Sequence, residues 1–177
     1  KSYLYGEELI HLAKVADKAA QKYPEVLVFV TAPYADLPKV KDATTHVIVT
    51  AQHMDGIYPG RGIGHVLPES VYAAGARATF LNHAEKPLLV NELVKSISRA
   101  KELGILTIVC ADSLLEAKAI AELEPDCILC EPTELIGTGE TSSEEYINAT
   151  NEAIKSINSS IAVMQAAGIS NENDVFR

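Results

Sequence analysis

The 177-residue chain is short of cysteine, of positive charge and of long apolar runs, and each shortage excludes something. Its three cysteines, Cys110, Cys127 and Cys130, all sit inside apolar runs. So odd and sparse a set gives no disulfide framework and suits a reducing cytosol. Cys127-x-x-Cys130 has the spacing of a redox or zinc pair, but residues i and i+3 of a strand face opposite sides of a sheet. No second Cys/His pair stands at ligand spacing either. The cysteines therefore read as small core residues, and no metal is expected. Lys and Arg number 15 against 24 Asp and Glu, a net charge of −9. That argues against a nucleic-acid partner, which demands clustered Lys and Arg. It leaves a small anionic substrate open, because a local field need not follow the net charge. No apolar run reaches the ~18 residues that a membrane span requires. No apolar stretch follows Lys1, so the start reads as the interior of a domain and not as a signal peptide. No low-complexity segment or linker interrupts the chain, and residues 1–177 are expected to form a single domain.

What is present is alternation. Apolar, β-branched runs predict strands at 26–31, 46–51, 78–82, 105–110, 127–130 and 161–165, and 47% of the chain is hydrophobic. Helical periodicity fills the gaps. Gly6–Tyr23 carries apolar residues at Leu9, Ile10, Ala13, Val15 and Ala16, and 89–103, 113–123 and 143–158 behave likewise. Asp112-Ser113 and Thr141-Ser142-Ser143 supply capping chemistry at two helix starts. Pro68 opens a short helix before Gly75, and Gly104 ends another. Repetition of strand and helix means βαβ crossovers and a parallel sheet. Strands that are nearly all apolar fit burial on both faces. No G-x-G-x-x-G follows any strand, which counts against an open doubly wound dinucleotide-binding sheet. Chemistry-bearing residues at the carboxyl ends of several strands favour a (β/α)8 barrel. Only six complete strands are legible, so the first and last strands of that barrel are expected to be missing from the sequence.

The most pointed segment is Cys127–Gly139, C-I-L-C-E-P-T-E-L-I-G-T-G. An apolar strand ends abruptly at Glu131, a carboxylate in a position that is costly unless used or paired. The Gly137-Thr138-Gly139 turn behind it can wrap an anion with backbone N–H groups. His83 follows another apolar strand, and imidazole there can polarise a carbonyl or move protons. Ala166-Ala167-Gly168-Ile169-Ser170 follows the next strand, with the small residues and hydroxyl that suit a phosphate. Together they point to proton chemistry on a small phosphorylated or carboxylated substrate. The remaining histidines, His11, His46, His53 and His65, read as structural, and Glu134 as solvated.

These pieces resemble the triosephosphate isomerase family in its compact archaeal-type form, in order and spacing. Lys1-Ser2-Tyr3 resembles the end of N-x-K-x-Y, and Ala51–Asp55 resembles A-Q-H-x-D. Asn82-His83-Ala84-Glu85 resembles N-H-S-E, and Glu131–Gly139 resembles E-P-P-E-L-I-G-T-G. Ala167–Ser170 resembles the tail of G-A-G-I-S. The resemblance covers essentially the whole chain. It implies interconversion of dihydroxyacetone phosphate and glyceraldehyde 3-phosphate in glycolysis and gluconeogenesis, in the cytoplasm and without a cofactor. It implies Glu131 as the base, His83 as the neutral electrophile and Lys1 as positive charge for the substrate. Ile136, Gly137 and Gly168 would line the phosphate site, and Pro132–Gly139 would be a closing lid. Glu85 would pair within the site or support Lys1. The resemblance also implies a homodimer or homotetramer meeting at 52–65.

The sequence departs from the family pattern at Ala84 for serine, Thr133 for proline and Ala166 for glycine. If that glycine needs positive φ, alanine there costs about 1 kcal/mol. The Asn before the lysine and the loop after the eighth strand are not in the sequence. These departures keep a second expectation open, a catalytically impaired barrel-derived binding or assembly protein. A different phosphate-binding barrel enzyme is a third.

Overall fold

A computed structural model describes residues 1–176. They group into two compact units, 1–81 with 89–106, and 82–88 with 107–176. Both are runs of parallel strands joined by helices.

The first unit opens with α1 (Gly6–Lys22), which buries Leu9, Ile10, Ala13 and Ala20. That spacing makes one stripe, and Val15 falls off it and is 52% exposed, contrary to the pattern read from sequence. β1 (Phe29–Ala32) follows, then a 3-10 turn at Tyr34–Asp36 and α2 (Leu37–Ala43). The sequence reading had no helix here. Pro38 sits in its first turn, where proline is tolerated, and Leu37 and Val40 bury one face. β2 (Ile48–Ala51), α3 (Pro68–Ala73), β3 (Ala78–Leu81) and α4 (Val90–Leu103) complete the unit. β1 pairs with β2 in parallel, Phe29 opposite Ile48, and β2 with β3, Thr50 opposite Ala78. Gly104 takes a left-handed φ of 69° and closes α4 as expected.

The second unit holds all but the first residue of β4 (Leu106–Ala111), then α5 (Leu114–Ala121), β5 (Cys127–Cys130), α6 (Glu144–Ile157), β6 (Ala162–Gln165) and α7 (Glu172–Val175). β5 lies between β4 and β6, with Cys127 opposite both Ile108 and Ala162. Ile108, Val109, Ile128 and Cys130 are buried on the strands, and Ile120 on α5, Ile154 on α6 and Ile161 just before β6 are buried as well. Ser113 and Ser143 are the caps that α5 and α6 use, accepting from the Glu116 and Tyr146 N–H groups. Such a cap is worth about 1 kcal/mol. At the amino ends of β4 and β5, Asp126 Oδ2 accepts from the Thr107 N–H and hydroxyl at 2.8 and 2.9 Å. The Asp126 N–H returns a bond to Thr107 Oγ1 at 3.0 Å.

Every expected strand is present, within three residues at each end. No helix among the described residues is long and apolar enough to cross a membrane.

Candidate active site

The second unit gathers the chemistry at the carboxyl ends of its strands. Glu131 is the first residue after β5, and its N–H donates to the Ala111 carbonyl at 2.9 Å. The ladder bond fixes the backbone, so the carboxylate leaves the sheet from a rigid base. Its Oε2 lies 3.3 Å from Nε2 of His83, with the two side chains 14% and 21% exposed. His83 is held from behind, where the Glu85 N–H donates to Nδ1 at 3.1 Å. A backbone N–H only donates, so Nδ1 is the bare nitrogen and the ring proton sits on Nε2, the nitrogen nearer Glu131. Glu85 thus orients the imidazole through its backbone.

Asn82, just before His83, stands at φ 56°. Its Nδ2 donates to the Cys110 carbonyl at 3.1 Å and to Glu116 Oε1 at 2.9 Å, and its Oδ1 accepts from the Leu88 N–H at 3.0 Å. Glu116 Oε2 accepts from the Asp112 N–H at 2.8 Å. Burial pushes the Glu116 carboxyl above the ordinary value, although the Asp112 N–H pulls the other way. A cavity of about 200 Å³ opens here, lined by Asn82, Ala84, Asp112, Glu116, Glu131 and Thr133. A larger one, about 370 Å³, lies beside the loop after β6, along Ser142, Gln165, Ala166 and Ile169. Of the two, the smaller is the one lined by Glu131.

The 132–139 loop closes on itself. A 3-10 turn at Thr133–Leu135 is followed by Gly137 and Gly139 at φ 75° and 79°. The Thr138 hydroxyl donates to the Leu135 carbonyl at 2.9 Å and accepts from the Glu140 N–H at 3.0 Å. Ile136 is half-buried, and Gly137 and Glu134 are exposed. Gly168 takes φ 68° with its backbone pressed against that of Glu140.

The strain expected at Ala166 is absent. Its N–H still donates to the Cys130 carbonyl at 3.0 Å, so it continues the strand ladder. The chain turns one residue later, and Ala167 carries a left-handed φ of 80°. Lys1 is exposed and lies in the first unit, whereas His83, Glu131, Ile136, Gly137 and Gly168 all lie in the second. Cys110 and Cys127 are buried thiols, pushed up to about 12 and about 11 by burial first, with nearby acidic groups adding. No cluster of three or more His, Cys, Asp or Glu among the described residues could hold a metal ion.

The model of the triosephosphate isomerase family matches residues 1–175. The chain belongs to that family. Triosephosphate isomerase activity, an intramolecular isomerisation, follows from the membership, as does the (β/α)8 barrel class of which the six strands are part. The triosephosphate isomerase of Methanocaldococcus jannaschii is 36% identical over 173 residues, which is 96% of this chain and 78% of that protein. The enzyme of Methanopyrus kandleri is 39% identical over 175 residues, 96% of this chain and 76% of its own. That of Sulfurisphaera tokodaii is 32% identical over 175 residues, 98% and 76%.

Glu116 was not among the site residues read from sequence. Its signal was there as Ser113-x-x-Glu116, the pattern of a capping box. The serine does cap α5, but the glutamate side chain turns to Asn82 and Asp112.

Proposed function

We propose that Glu131 and His83 carry the isomerisation of dihydroxyacetone phosphate and D-glyceraldehyde 3-phosphate as base and electrophile. The observation that carries this reading is the 3.3 Å approach of His83 Nε2 to Glu131 Oε2, with Nδ1 already occupied by the Glu85 N–H. The Glu131 carboxylate takes a proton from C1 of the ketone, and the C1–H electron pair becomes the C1–C2 double bond. The carbonyl π pair moves to O2, where the Nε2–H of His83 meets the growing negative charge. The enediolate collapses when Glu131 returns the proton to C2. Meanwhile the hydroxyl proton passes from O1 to O2 through His83, so no proton is gained or lost.

Backbone N–H groups around Ile136, Gly137 and Gly168 are the proposed phosphate contacts, supported by the left-handed glycines at 137 and 168. The 132–139 segment is the proposed lid, which excludes water while the enediolate exists. Lys1 is the proposed positive charge. We place the reaction in the cytoplasm, in glycolysis and gluconeogenesis, a setting that suits free buried thiols. A homodimer or homotetramer is supported by the exposed Tyr58 and Ile63 in the 52–65 segment. The test is isomerisation of dihydroxyacetone phosphate by the wild type and by Glu131→Gln. A wild type no faster than that variant leaves the impaired binding or assembly protein as the better reading.

A further inference from the structure

We propose that Glu116 is a positioning residue for His83, acting through the side chain of Asn82. The inference rests on the reading of His83 and Glu131 as the catalytic pair. His83 is presented by a loop whose first residue, Asn82, holds a backbone conformation unfavourable for L residues, at φ 56°. The asparagine amide secures it on three sides. Nδ2 donates to the Cys110 carbonyl and to Glu116 Oε1 at 3.1 and 2.9 Å, and Oδ1 accepts from the Leu88 N–H at 3.0 Å. The amide has one acceptable orientation. Turned over, its oxygen would face a carbonyl and a carboxylate, and its NH2 would face an N–H.

Two of these partners are backbone groups, at the end of β4 and at the far end of the loop itself. Glu116 is the side-chain partner, and it joins separate pieces. Its Oε1 takes the Asn82 amide, and its Oε2 takes the Asp112 N–H at 2.8 Å in the loop after β4. Both oxygens face donors, an arrangement that the carboxylate satisfies in full and a neutral side chain satisfies only in part. Burial first, and the neighbouring Asp112 carboxyl as well, oppose that charge and push the Glu116 carboxyl above its ordinary value, a penalty an open surface glutamate does not carry. The residue is therefore invested in the loop that aims His83, beyond its place in the first turn of α5.

The experiment compares the full chain with Glu116→Ala, Glu116→Gln and Ser113→Ala. It reads kcat and KM for dihydroxyacetone phosphate separately, together with 15N shifts of the His83 ring. Glu116→Ala is expected to lower kcat about tenfold with KM within about twofold, the pattern of a misaimed group acting in the transition state. Glu116→Gln keeps one acceptor for Asn82 and is expected to lose less. Ser113→Ala removes the α5 cap without touching the carboxylate and is expected to hold kcat. The wild-type His83 ring should show one protonated and one bare nitrogen, and in Glu116→Ala the two signals should converge as tautomers mix. An unchanged kcat in Glu116→Ala overturns the proposal. So does an equal loss in Ser113→Ala, which would make Glu116 a helix-stability residue. If Glu116→Ala does not fold, Glu116→Gln against Ser113→Ala makes the same comparison. A wild type without isomerase activity sinks the parent reading instead, and the ring-nitrogen spectra still decide the positioning.

Discussion

The backbone of Glu140 lies against Gly168 where no side chain fits: a Cβ on Gly168 would run into the Glu140 carbonyl oxygen. Two residues on, the buried Ser142 hydroxyl donates to the Ala166 carbonyl at 3.2 Å. The residues that follow the 132–139 loop are thus packed against the loop after β6, and the two loops are proposed to grip one phosphate. Gly168→Ala must push them apart, and it also places a side chain at φ 68°. The expected result is a kcat/KM lower by about 10–100-fold, with weaker binding of a phosphoglycolate-type anion. Steady-state kinetics and anion titration check it. An unchanged anion affinity would move the phosphate site away from Gly168.

Glu131→Gln keeps the shape of the base and removes its charge. It is expected to lower kcat by about 10²–10⁴-fold, the ordinary worth of a general base, with little change in KM. A coupled assay for glyceraldehyde 3-phosphate measures it. A loss below about threefold would assign the proton transfer to another group.

Asp17 gives the first unit a pH dependence. Burial pushes its carboxyl up, but N–H groups of His46, Val47 and Thr45, all donating to it, outweigh burial and hold it below the ordinary value. A depressed folded pKa means stability that is present above the unfolded value of about 3.9 and lost as pH falls through the folded value. Asp17→Asn is expected to cost about 1–2 kcal/mol near neutral pH. The gap from wild type should close as the medium is acidified below about pH 4. Urea midpoints across that range test it, and a gap that persists in acid would tie Asp17 to shape and not to charge.

The Thr107–Asp126 staple is structural. Asp126→Ala removes a charged acceptor from two donors, at a cost of about 1–3 kcal/mol in the second unit. Because it sits at the amino end of β4 and the proposed chemistry at the carboxyl end, kcat per folded molecule should hold. Chemical denaturation and active-site-normalised kinetics separate the two effects, and a fall in kcat would mean that strain travels along β4.

Much of this was readable along the chain. Strands β1 to β6 announce themselves because parallel strands buried on both faces leave runs such as Cys127–Cys130. Glu131 stood out because a charge at the end of such a run breaks the pattern. The segment 34–43 did not, since Pro33 and Pro38 punctuate it like a loop and a seven-residue helix leaves little periodicity. Ala166 drew the expectation of strain because motif position gives no φ. Only the bond from its N–H to the Cys130 carbonyl shows that the strand continues through it.

The sequence by itself determined the alternation of strand and helix, the acid at the end of β5 and the histidine at the end of β3. These follow from local apolar pattern, which a single chain displays in order. The tertiary structure decided which nitrogen of His83 is bare, which residue after β6 takes the left-handed turn, and that Glu116 reaches Asn82 34 residues away. Those depend on directional bonds between groups far apart in the chain, and a linear pattern carries no record of where a donor meets its acceptor.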